Sequence, residues 1–207
     1  MSSDTETVRE DLAFMRALVS AGDSYSRPFA EGYFAAGVIY GVQFVLHGVQ
    51  FFGAIPSTPA LSLAIGLGPT VVFIVAMVWN SWRRRHDRPP TSTGRAVAVM
   101  FGCIGLANLA LIGVIGSVAW REQSLTTWLV YPCTVFVLQG AAWLFAWQLR
   151  RRAWLGFVGL GWFVCGVAMA LSVQSLGYFL LAGGIGMWLC MALPGWVMSR
   201  LARPVAG

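Results

Sequence analysis

The polar residues of this chain that could do chemistry sit inside apolar sequence. The stretch YGVQFVLHGVQFF, residues 40–52, carries Tyr40, Gln43, His47 and Gln50 within a long hydrophobic run, and His47 is one of only two histidines. Tyr33, Ala36, Tyr40, Gln43, His47 and Gln50 recur at steps of three and four, which places them on one helix face. Gly37, Gly41 and Gly48 lie beside that stripe and admit a neighbouring helix at close range. His47 stands sixteen residues past Glu31, roughly 24 Å along a helix axis.

Three kinds of chemistry suit such a face: a proton relay, a polar-substrate site or a haem ligand, because ionisable groups within a bilayer are often functional. The competing account is interhelical hydrogen bonding at ~0.6 kcal/mol per bond, with Asn108 and Gln139 as the partners of matching depth. A bis-histidine haem is excluded, since His86 falls in the polar segment RRRHDR. A His–Met pair stays open through Met100 or Met169.

Other catalytic chemistry finds little support. No Asp or Glu lies deep in an apolar run, and neither HExxH nor GxSxG occurs. Cys103, Cys133, Cys165 and Cys190 are isolated, with no CxxC, and read as buried free thiols. We therefore expect no catalytic residue, no metal site and no cofactor.

The elements that must position the polar face follow from composition. Of 207 residues 57% are hydrophobic and 11% charged, whereas a soluble domain carries about 25% charged residues. A spanning helix needs ~20 apolar residues. Six such spans can be drawn, at 31–53, 61–82, 96–119, 125–149, 153–173 and 176–198, giving an all-α membrane protein that could be built as three hairpins. The last two are separated by a tight turn at Gln174–Gly177, because the uncharged stretch from 153 to 199 is too long for one span. Helix-weakening residues recur in the even spans, at Pro69, at Pro132 and at Gly183 with Gly184, and would frame a cavity if they broke the helices at one depth.

All fourteen basic residues are Arg, and the net charge is +6. Thirteen of them fall in the N-terminal segment, the second and fourth loops and the tail; Arg121 alone lies on the other side. The positive-inside rule then puts both termini in the cytoplasm. Charge confined to short loops argues against nucleic acid, whereas Arg83, Arg84, Arg85 and Arg88 could meet anionic headgroups. Trp79, Trp82, Trp147, Trp154 and Trp196 near one set of ends, with Trp120 and Trp128 near the other, suit aromatic belts. No signal peptide is visible, so the first span is expected to direct insertion.

Residues 1–30 form a cytoplasmic segment before the membrane domain, and 200–207 a cytoplasmic tail. TVRE at Thr7–Glu10 matches a capping box, and Val8, Leu12, Met15 and Val19 make one apolar face. The spacing predicts an amphipathic helix over 8–21, ended by Gly22 and suited to a membrane surface or a protein partner.

EDLAFMRALVSAGD and the Gly-, Tyr- and Gln-rich span behind it, residues 10 to 50, resemble a group of small bacterial multi-pass membrane proteins of unassigned function. The resemblance implies a bacterial inner membrane and no particular activity. Three readings follow: a non-catalytic accessory or regulatory protein acting through a partner, a small transporter or channel built on the polar face, and an intramembrane redox or enzymatic protein. The oligomeric state is not legible in the sequence.

Overall fold

A computed structural model describes residues 27–83 and 92–202. The expected 8–21 helix lies outside these residues, as do Arg84, Arg85 and Arg88. Among the described residues every regular element is helical: α1 (Arg27–Phe51), α2 (Pro59–Arg83), α3 (Ser92–Glu122), α4 (Leu125–Arg150), α5 (Ala153–Leu171) and α6 (Leu176–Leu201). Each contains a window long and apolar enough to cross a membrane. Lipid offers no partner for backbone polar groups, so an apolar run of this length satisfies them internally as a helix.

The helix ends follow local chemistry. Residues 27–30, placed before the first span by hydropathy, belong to α1. Pro28 falls in its first turn, where the missing N–H costs nothing, and Arg27 Nε pairs with Glu31 Oε1 at 2.9 Å. At the other end Gly53 takes φ 76°. Its N–H donates to Gln50 O at 3.0 Å and that of Ala54 to Val49 O at 3.1 Å, the paired bonds of a Schellman cap. Ser124 caps α4 by accepting from Thr127 N at 3.1 Å. Arg151 ends α4 in the left-handed region, φ 52°, its N–H donating to Trp147 O at 2.7 Å. The α5–α6 turn spans 172–175 and closes with Ser175 N donating to Ser172 O at 2.8 Å.

The expected hairpins α1–α2, α3–α4 and α5–α6 each pack together, α4 also packs on α5, and the order of neighbours is α2, α1, α6, α5, α4, α3. Aromatic rings close the bundle across α1: Tyr33 meets Phe101 of α3 and Trp143 of α4, and Phe44 meets Phe136 of α4. Trp143, Trp162, Phe136 and Phe179 are the largest fully buried side chains. The flanking helices contribute one stripe each. On α3 the stripe is Val97, Phe101, Ile104, Asn108, Leu111 and Ala119, while Val99, Leu106, Leu109 and Val114 face outward. On α2 it runs through Ser62, Ile65, Pro69, Phe73, Met77 and Asn80, and Leu67, Val71, Val75 and Val78 face outward.

The expected helix breaks are redistributed. Pro69 and Pro132 lie inside continuous helices. Gly183 and Gly184 lie within regular α-helix, and the irregularity of α6 is a π-helical turn at Trp188–Ala192. Its cause is Pro194, which has no N–H to return to the carbonyl of Cys190. The chain widens, and Leu193 N–H donates to Trp188 O five residues back. Gly183 has a different role: its bare backbone seats the Phe44 ring, whose Cδ1 would stand 2.7 Å from a Cβ at that position.

The aromatic belts are altered in one place. Trp79, Trp82 and Trp196 are exposed near the Arg-rich helix ends, Trp196 with the Arg200 guanidinium 5.3 Å above its ring. Trp154, by contrast, turns inward and packs on Trp143 with ring centroids 6.0 Å apart.

Candidate functional site

The polar stripe of α1 is held by its own hairpin partner. Near the Arg-rich end Asn80 Nδ2 donates to Pro28 O at 3.4 Å. At mid-helix Tyr40 packs on Phe73, centroids 5.7 Å apart, and Gln43 Nε2 donates to Gly66 O at 3.0 Å. That carbonyl belongs to the turn preceding Pro69, where the proline ring crowds the helix and weakens its ladder. Gln43 therefore bonds the carbonyl next to Ile65 O, the one whose helical donor Pro69 removes.

Gln50 is the node at the far end. It is 7% exposed, the one buried polar residue among those described. Its Nε2 donates to Pro56 O at 3.2 Å and to Ser62 Oγ at 3.3 Å. Because Pro56 O can only accept, the amide orientation is determined: Nε2 faces the loop and Oε1 faces His47 Nδ1 at 3.2 Å. Oε1 in turn only accepts, so Nδ1 carries the proton. Ser57 Oγ completes the node by donating to Gln50 O at 3.4 Å.

Replacing Gln50 with leucine removes the two amide donor bonds and the bond to His47. At ~0.6 kcal/mol per bond, the expected loss is about 1–2 kcal/mol in SDS-induced unfolding, and Ser62→Ala should lose only the share of its own bond. An unchanged midpoint would show that the node does not hold the hairpin.

The expected partners of His47 are placed elsewhere. His47 bonds Gln50 on its own helix, while Asn108 and Gln139 lie on α3 and α4. Asn108 Oδ1 and Gln139 Oε1 are buried and have no hydrogen-bond partner among the described residues. The register explains the separation. The Phe101–Trp143 ring contact and the approach of Trp128 to Gly116 align α3 with α4, so Asn108 and Gln139 fall within one turn of the same depth in that seam.

The packing glycines divide in the same way. A Cβ on Gly37 would stand 2.7 Å from Ala192 Cα, and one on Gly41 would meet the Trp188 ring. Both glycines therefore admit the π turn of α6. Nothing lies within 4 Å of Gly48. Arg83 ends α2 and is exposed, consistent in position with a headgroup contact.

Three features had no signal in the sequence. Trp143 Nε1 donates to Tyr33 OH at 2.6 Å in the core, between helices far apart in the chain. Beside it a cavity of about 20 Å³, bounded by Phe29, Phe101, Trp143 and Arg150, is water-sized. At the opposite end Gly116, Trp120, Gln123 and Trp128 border an open groove of about 320 Å³. Among the described residues no group of three or more His, Cys, Asp or Glu converges.

This is the architecture of an all-α, multi-pass membrane protein whose helix 1 polar face is bound into its first hairpin. No family model, curated protein or solved structure matches the chain.

Proposed function

We propose that the chain is a non-catalytic accessory or regulatory protein of the bacterial inner membrane, with both termini cytoplasmic, that acts through a protein partner. The observation that carries this reading is the Gln50 node: the amides of Gln43 and Gln50 are engaged by α2 and the loop after α1, and His47 is bonded to Gln50. Their role is to fix the hairpin. The outward faces of α2 and α3 supply broad apolar surface for association within the bilayer. The Arg bias of the loops supports the orientation, and the 8–21 segment is the proposed cytoplasmic contact. Deleting residues 1–22 is expected to leave a folded six-helix protein that no longer co-purifies with its partner. Identical co-purification with and without the segment would overturn the proposal.

A second reading, a small transporter or channel, draws on the unpartnered oxygens of Asn108 and Gln139. It requires ligand- or pH-dependent flux in liposomes that Asn108→Leu and His47→Ala reduce. Flux unaffected by both variants removes it.

A further inference from the structure

Cys165 and Cys190 are far apart in sequence, but the α5–α6 contact brings their thiols into one seam. Each sulfur lies over a glycine of the other helix: a Cβ on Gly161 would stand 2.9 Å from Cys190 Sγ, and one on Gly186 would stand 3.2 Å from Cys165 Sγ. Gly161 and Cys165 are one turn apart on α5, as are Gly186 and Cys190 on α6. The two sulfurs therefore share a single interhelical gap that the glycines keep open. Cys190 belongs to the π turn, and both cysteines are free. Met169 follows Cys165 by four residues and Met187 precedes Cys190 by three; both are buried in the same core cluster.

We propose that Cys165 and Cys190, supported by the thioethers of Met169 and Met187, form a sulfur-only site for a soft monovalent cation, Cu(I) or Ag(I). Thiolate and thioether donors select such ions, and two sulfurs suffice because both ions accept two-coordinate geometry. On binding, the cation displaces one thiol proton to solvent. One thiolate then balances its single charge, the second thiol and the thioethers are neutral donors, and no oxidation state changes. A neutral complex is what an apolar interior tolerates. The other cysteines are placed differently: Cys103 is exposed, and Cys133 Sγ donates to Leu129 O at 3.3 Å.

The test uses the full chain, purified in detergent under reductant, desalted anaerobically and mixed with Cu(I) held by bicinchoninate. The wild type is expected to withdraw one Cu(I) per chain. Cys165→Ser and Cys190→Ser should each abolish withdrawal, and Cys103→Ser and Cys133→Ser should leave it intact. Should the Cys165 or Cys190 variants fail to fold, X-ray absorption of the Cu(I)-loaded wild type is expected to show only sulfur neighbours. The proposal is overturned if the wild type takes no Cu(I) from the chelator, if Cys165→Ser/Cys190→Ser binds as the wild type does, or if nitrogen or oxygen ligates the metal.

Discussion

Gly37→Val lowers the stability of the folded bundle by about 3 kcal/mol, the upper part of the range for overpacking a close contact. A Cβ there would stand 2.7 Å from Ala192 Cα and 2.9 Å from its Cβ, and would also meet the backbone N of Ala192. Backbone atoms have no alternative rotamer, so α1 and the π turn of α6 must separate. That contact is central: α1 packs along the whole of α6, and bilayer helices associate through close packing because lipid removes most of the hydrophobic drive between them. The valine methyls add volume where even one carbon has no room. Gly41→Val presses instead on the Trp188 ring, which can rotate, and should be milder. Gly48→Ala is the control. With nothing within 4 Å, it gains only helix propensity, up to about 1 kcal/mol. Thermal unfolding in detergent, followed by tryptophan fluorescence, reads all three. A Gly37→Val protein as stable as the wild type would mean that this contact does not form.

Trp143→Ala is expected to cost about 3–5 kcal/mol, the range for emptying a large aromatic site. The indole is 1% exposed and touches Tyr33, Phe101 and Trp154, so its loss opens a cavity where α1, α3, α4 and α5 converge. It also removes the 2.6 Å bond to Tyr33 OH. Two milder variants separate these effects. Trp143→Phe keeps a ring and strands the tyrosine hydroxyl; Tyr33→Phe keeps the ring and strands the indole N–H. Each should cost about 1–3 kcal/mol, because a buried polar group is left unsatisfied. The double variant should cost less than the sum, since neither polar group then remains. Strict additivity in this cycle would show that the hydrogen bond contributes nothing.

How much was legible depends on how far each feature reaches along the chain. The six spans were readable because hydropathy is local, and the split expected at 174–177 and found at 172–175 because a single helix cannot absorb the length. The polar face of α1 was readable because helical periodicity puts Gln43, His47 and Gln50 together whatever surrounds them. Their partners were not. Depth matching pointed to Asn108 and Gln139, but helix rotation and neighbour order gave the face to α2, where Gly66 O beside Pro69 and Ser62 accept its donors. Periodicity says which residues share a side and is silent on which helix that side meets.

The break in α6 shows the same limit. Paired glycines suggested weakness at 183–184, but Phe44 packs there and regular helix persists. The π turn at Trp188–Ala192 arises from Pro194 together with the glycine face of α1 that seats it. Nor could isolated cysteines reveal that Cys165 and Cys190 share a gap, because that depends on two glycines across a helix contact.

The sequence by itself determined that this chain is a bundle of six apolar helices with one polar face on the first, because hydropathy and helical periodicity act over one or two turns. Only the tertiary structure decided that α2 and the Gln50 node engage that face, that Trp143 and Tyr33 meet in the core, and that two thiols converge at the π turn. Those outcomes rest on the rotation and order of whole helices, which side-chain volumes and close glycine contacts select across the bundle.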